Sequence, residues 1–145
     1  MKIDTKYHDK VHIEENEIIT FTNGIPGFLD EKKFVILPFG DDTGISIMQP
    51  IENAQLAFVV TNPFFFFKEY DFAIDDQIVE LLQLDSEKDV TVYVILSVKE
   101  PFEKTTANLQ APVVINNKKQ LGKQVILTNT SYQTKHKIFE KMSTK

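Results

Sequence analysis

Along much of this chain apolar and polar residues alternate with a period of two, the period of a strand with one face in a core. The densest stretch runs from Leu56 to Tyr70 and reads L-A-F-V-V-T-N-P-F-F-F-F-K-E-Y. Leu56, Phe58 and Val60 fall on one face, Ala57 and Val59 on the other. Both faces are apolar, which predicts a central strand covered on both sides. Pro63 ends it, because proline has no N–H for the ladder. Phe64 to Phe67 follow. In extended chain their rings point two to each side, so one pair enters a core and the other needs cover of its own. The longest alternation is Val90 to Val98, with Val90, Val92, Val94, Leu96 and Val98 on one face and Thr91, Tyr93, Ile95 and Ser97 on the other.

The remaining elements are shorter. Ile3, Thr5 and Tyr7 predict a first strand, and Val11 and Ile13 continue its alternation. Glu17 to Phe21 predicts another. Asn23-Gly-Ile-Pro-Gly27 is turn chemistry, with Phe28 and Leu29 expected to plug the core beside it. Asp30 to Lys33 reads as a helical turn or an exposed loop, and Phe34 to Phe39 as a buried strand. Asp41 to Gly44 suits a hairpin, with Ile45 to Gln49 returning. Ile74, Ile78, Leu81 and Leu82 form one helical stripe, capped by Asp75 or Asp76 and expected to lid an open end of the sheets. Thr105 to Pro112 leads into Val113 to Ile115; Asn116 to Lys119 is a turn, and Gln124 to Leu127 pairs back. Tyr132 to Phe139 fits strand or helix. The pattern predicts a mainly β fold: a small antiparallel β-barrel-like structure, or two packed sheets, with one short capping helix. Residues 1–139 form one domain and 140–145 a frayed tail in this reading.

With 145 residues, 42% of them hydrophobic, the chain can fill a core of its own. Having no cysteine, it has no disulfide, thiol nucleophile or thiolate metal site. Its first residues lack the apolar core of a secretion signal, and no apolar run is long enough to cross a bilayer. Without such a signal, the Asn129-Thr-Ser131 glycosylation acceptor is idle. A cytoplasmic protein is expected. The net charge of −5 is uneven: eight lysines face nineteen carboxylates up to residue 100, and eight face two beyond it. There is no arginine, the residue that suits phosphate best, so direct nucleic-acid binding is not expected. An acidic body suits a basic protein partner.

Candidate chemistry is sparse. His8 and His12 are four apart, but in a strand-like pattern with no third ligand in view. Asp42-Thr-Gly44 matches the aspartic-protease triplet but lacks the bracing segment of those enzymes, and a hairpin explains it better. There is no glycine-rich phosphate loop and no Gly-x-Ser-x-Gly elbow. No catalytic residue, metal or cofactor is assigned, and a binding protein is the expected class.

Gly24-Ile-Pro-Gly-Phe28, Ala57-Phe-Val-Val-Thr-Asn-Pro63, Tyr70, Thr106-Ala-Asn-Leu-Gln-Ala-Pro-Val-Val-Ile-Asn116, Gly122-Lys-Gln-Val-Ile-Leu127 and Tyr132 together resemble the FliW family of flagellar assembly factors. The match is ordered and spans nearly the whole chain. Lys135-His136 stands where the family carries Arg-His, and the phenylalanine run is denser than usual. The resemblance implies a bacterial cytoplasmic protein with a small β-barrel-like fold. It implies that the protein binds flagellin near its chain end before export. It also implies binding to CsrA, a small RNA-binding translational repressor, whose antagonism relieves repression of flagellin translation.

The acidic candidates for these contacts are Glu14, Glu15, Glu17, Asp41, Asp42, Asp71, Asp75 and Asp76. The apolar and polar candidates are Asn62, Phe65, Phe67, Asn108 and Gln110. Solvation explains the acids equally simply, and Asn108 and Asn116 also read as loop-bracing residues. The free protein is expected to be monomeric and to have no membrane contact. The rival readings are a small β-barrel hydrolase or isomerase with a carboxylate-based site, and a structural oligomer subunit.

Overall fold

The computed structural model describes residues 1–40, 43–128 and 130–138. Asp41, Asp42, Asn129, Phe139 and the tail 140–145 lie outside the described residues. Eleven strands are found among the described residues: β1 Lys2–Asp4, β2 Lys10–His12, β3 Ile19–Thr20, β4 Lys33–Pro38, β5 Ile45–Pro50, β6 Phe58–Thr61, β7 Val90–Ser97, β8 Thr106–Ala107, β9 Val113–Asn116, β10 Leu121–Gln124 and β11 His136–Lys137. The α-helix among them is α1, Asp76–Leu81.

Seven strands close a ring in the order β7, β6, β5, β4, β3, β10, β9 and back to β7. All of these pairings are antiparallel except β3 with β10, where Leu121 faces Thr20 in parallel. An odd ring cannot alternate direction all the way round, so one parallel pair is forced. The mainly β, barrel-like expectation is borne out, with this one parallel step.

Inside the ring the two-residue period puts Ile19, Phe21, Phe34, Met48, Val60, Val113 and Ile115, with Ile36, Phe58, Tyr93 and Ile95 packed against them. Gly122 also faces inward; a Cβ there would lie 2.7 Å from the Phe21 ring. The outer wall is covered three times. The β1–β2 hairpin lays Ile3 and Ile13 over Val35 and Leu37 of β4. Helix α1 lays Ile78 and Leu82 over Val114 of β9. Tyr70, Ala107, Leu109 and Ile138 cover Val94 and Leu96 of β7. This cladding is why so many strands read as apolar on both faces.

Several expectations are corrected. Phe64 to Phe67 are not extended. Pro63–Phe65 form a tight 3-10 turn, started by Asn62, whose Oδ1 accepts the Phe64 N–H at 2.9 Å. Phe64 and Phe65 are thereby exposed, and Phe66 and Phe67 half-buried. Phe28 and Leu29 do not plug the core: both are exposed, and Phe28 rests edge-on against Phe58. Gly24, at φ +68°, turns the chain so that Ile25 enters instead. Any side chain at Gly24 would collide with the Leu29 backbone.

Helix α1 lies against the wall, not over an open end, because Val114 points outward between the inward Val113 and Ile115. Its stripe is Ile74, Ile78 and Leu82, and Leu81 is exposed. The first strand stops at Asp4, and Thr5 closes a turn by accepting the His8 N–H and bonding the Asp9 carbonyl. This leaves Tyr7 exposed on the turn. Of Glu17 to Phe21, only Ile19–Thr20 is strand, and Glu15–Glu17 is a short 3-10 turn. Phe39 falls beyond β4 and is exposed. The return strand β10 begins at Leu121, and the Val125 and Leu127 N–H groups continue its contacts to the carbonyls of Pro112 and Gln110. The segment open between strand and helix supplies β11, paired with β8.

Asn116 ties the wall to the helix. Its amide donates to the carbonyls of Leu82 (2.7 Å) and Gln83 (3.1 Å), just past α1. Its Oδ1 accepts the Lys118 and Lys119 N–H groups at 3.0 and 3.1 Å. Asn116→Ala orphans groups on both sides and is expected to cost about 2–4 kcal/mol in urea denaturation. Asn116→Asp keeps the acceptor half but sets a buried carboxylate oxygen against the Leu82 and Gln83 carbonyls, and should lose at least as much.

Candidate functional site

The third covering, over the far end of β7, is built mostly of aromatic side chains. Tyr70 anchors it: its buried hydroxyl donates to the Leu109 carbonyl at 2.7 Å. Its ring lies 4.7 Å from that of Tyr132 and 5.4 Å from that of Phe72. Burial pushes the Tyr70 phenol well above its ordinary range, with the neighbouring Tyr132 adding to the effect. Tyr132 in turn accepts the Asp71 N–H at 3.1 Å.

The 107–110 strip is clamped to the chain at 133, because the N–H groups of Leu109 and Gln110 both donate to the Gln133 carbonyl. The Gln133 N–H donates to His136 Nε2 at 2.8 Å, so the neutral imidazole carries its proton on Nδ1. The His136 ring meets Phe67 at 6.1 Å and Tyr132 at 6.2 Å.

Between these groups runs an open cleft of about 730 Å³ lined by Phe66, Phe67, Tyr70, Leu109, Tyr132, His136 and Ile138, with Lys68, Glu69 and Lys137. Its walls are aromatic and aliphatic, and its charges lie on exposed side chains. This is the form of a site that takes an apolar or amphipathic segment.

The expected contact residues divide. Phe67 lines the cleft, Asp71 reaches its edge through the backbone bond to Tyr132, and Asn108 and Gln110 flank Leu109. Asn108 is a loop brace: its Oδ1 accepts the N–H groups of Gln110 and Ala111. Asn62 caps the phenylalanine turn, and Phe65 packs on Gly44 and stays exposed. Asp75 is the N-cap of α1, accepting the Ile78 N–H at 3.0 Å, and Asp76 is its first residue. Glu14, Glu15 and Glu17 are exposed on the turn before β3. That turn lies toward the opposite end of β7 from the cleft. Asp41 and Asp42 lie outside the described residues.

His8 and His12 do not converge: His8 Nε2 faces the Pro38 carbonyl at 2.9 Å, and His12 faces Glu14 at 3.1 Å. Among the described residues no group of three His, Cys, Asp or Glu is placed to hold a metal ion. Nor is any helix among them long and apolar enough to cross a membrane.

The family model for FliW protein matches residues 2–138. The chain belongs to the FliW family. A flagellar assembly factor FliW from Geobacillus sp. (strain WCH70) is 55% identical over 139 residues, covering 96% of each chain. The Bacillus subtilis (strain 168) flagellar assembly factor FliW is 51% identical over 138 residues, 95% of this chain and 96% of the relative. A crystal structure of the flagellar assembly factor FliW superposes with a TM-score of 0.90 at 52% identity, over 95% of this chain and 96% of that one.

The FliW resemblance carried Tyr70, Leu109, Tyr132 and His136 in the sequence without giving them a site. Lys68, Glu69, Lys137 and Ile138 were missed as cleft residues. For Lys137 and Ile138 the usable signal was a possible last strand in the 132–139 segment.

Tyr70→Phe orphans the buried Leu109 carbonyl and is expected to cost about 1–3 kcal/mol at neutral pH. The folded protein keeps the Tyr70 phenol neutral, whereas the unfolded chain releases that proton near pH 10. This stabilisation is whole below about pH 10 and is lost as pH rises toward the folded-state value above it. Urea midpoints between pH 8 and 11 should therefore fall less steeply for Tyr70→Phe than for the native chain.

Proposed function

We propose that this protein is a flagellar assembly factor that works by binding and performs no catalysis. In this reading it holds flagellin in the cytoplasm before export, through the aromatic cleft. Once flagellin has left, it captures CsrA and weakens that repressor's hold on RNA, so that flagellin translation resumes. Membership of the FliW family supports the role in flagellar assembly. The observation that carries the flagellin half is the open cleft, whose lining of Phe66, Phe67, Tyr132 and Ile138 suits the apolar face of an amphipathic helical segment.

The acidic body supports the CsrA half. A protein that binds RNA presents cations to phosphate. Glu14, Glu15 and Glu17 stand exposed together, and Asp71, Asp75 and Asp76 are exposed around the 71–76 segment. Carboxylates docked near an RNA path attract the repressor and repel its RNA without occupying the path. Asp41, Asp42, Asn62, Phe65, Asn108 and Gln110 complete the proposed contacts. The rival carboxylate chemistry uses two facing carboxyl groups. The cleft is lined by one carboxylate among the described residues, Glu69.

Co-purification from cells with and without flagellin tests the exchange: CsrA should accompany the protein only when flagellin is absent. Phe67→Ala should weaken flagellin binding by about tenfold or more and spare CsrA. Reversing Glu14, Glu15 and Glu17 to Lys should weaken CsrA binding more at low salt than at high salt. An affinity unchanged across that panel would discard the electrostatic half.

A further inference from the structure

The barrel is filled at one end by Ile25 and open at the other. The open mouth is a depression of about 290 Å³ whose floor is Ile19, Ile36, Ile115 and Tyr93, all from the inward rows of the ring. That is ample room for a long side chain. The rim carries Glu17, Asn16, Gln120 and Thr91. Glu17 uses Oε1 to accept the Glu14 N–H at 2.8 Å, leaving Oε2 available. Thr91 accepts from the Asn117 amide at 2.8 Å and keeps its own proton to donate. The side-chain amides of Asn16 and Gln120 and the Tyr93 hydroxyl make no hydrogen bond to any described residue.

We propose that this mouth is a one-residue socket for an arginine side chain presented by a basic protein partner. The isoleucines and the Tyr93 ring take the aliphatic stem. Glu17 and the amide oxygens meet the guanidinium, whose donors outnumber those of an ammonium group. Among the described residues no cationic group lines the opening. Lys119, on the adjoining turn, is directed to Gln83 and Asp85. Glu14 and Glu15 beside the mouth add negative field and disfavour an anionic occupant. An apolar plug would leave the rim oxygens unused. The socket deepens the acidic half of the proposed function and rests on that reading only for the identity of the partner.

The test is an NMR titration of the full chain with Ac-Gly-X-Gly-NH2 peptides, X being arginine or norleucine, read at the Ile19, Ile36 and Ile115 methyls and the Tyr93 ring. The arginine peptide should saturate these signals, with norleucine about tenfold weaker. Glu17→Gln keeps an acceptor for the Glu14 N–H and should bring arginine down to the norleucine level. Leu29→Ala, an exposed side chain that lines neither the mouth nor the cleft, should change nothing. Equal affinity for norleucine, no saturation by arginine, or indifference to Glu17→Gln each overturns the socket. If CsrA fails to bind the intact protein, the partner falls and the tripeptide result stands. If the tripeptides fail, the socket falls and capture of CsrA stands.

Discussion

An odd number of strands must close a ring, and one seam must therefore run parallel. That seam, between β3 and β10, has the thinnest ladder in the ring, the single register pair of Leu121 with Thr20. The Thr20 N–H adds a bond to the Gln120 carbonyl at 2.9 Å. Packing makes up what the ladder lacks. Phe21 is fully buried, and its ring occupies the space that a side chain at 122 would need. Gly122 is thus required by the close approach of an aromatic ring rather than by backbone conformation. A short β3 also leaves the chain before it free to turn at Glu15–Glu17, so the mouth of the barrel is a consequence of how the ring closes.

The same ring sets where the cleft forms. Strands that bury both faces need an outer coat, and regular structure supplies it over β4 and β9. Over the far end of β7 the coat is irregular chain carrying bulky rings, joined by two-residue strands. Rings that meet edge-on or tilted at 5.4 to 6.2 Å cover a surface without filling it, and a cleft is what remains.

Alternation made most of the barrel legible. Leu96 and Val94 against Tyr93 and Ile95 sort to the two faces as their spacing requires. Legibility failed where a side chain acts on the backbone. Asn62 converts a run that reads as extended into a turn, and Gly24 redirects the plug from Phe28 to Ile25. It failed for α1 because a helical stripe says which face is buried but not against what. The cleft was the least legible part, since Phe67, Leu109 and His136 meet only through long-range pairing of β8 with β7 and β11. The acids at Glu14 to Glu17 were visible as a cluster, but their place beside an open barrel depended on closure.

Among the described residues the two surfaces share no side chain, and β7 separates them: Thr91 lines the mouth, and Leu96 lies under the coat that forms the cleft. Five residues of strand span roughly 17 Å. Partners that exclude one another across this barrel must do so by their own bulk or by a change carried through β7. That strand is placed to carry one. Along a single edge it pairs first with β9, through Tyr93, and then with β8, from Leu96. Between those partners lie Val94 and Ile95, which bond to β6 on the other edge, and the Ile95 carbonyl accepts the Asn108 N–H beside Leu109. A shift of the 107–110 strip on filling the cleft would thus be felt first at Ile95, one inward position from Tyr93 at the mouth.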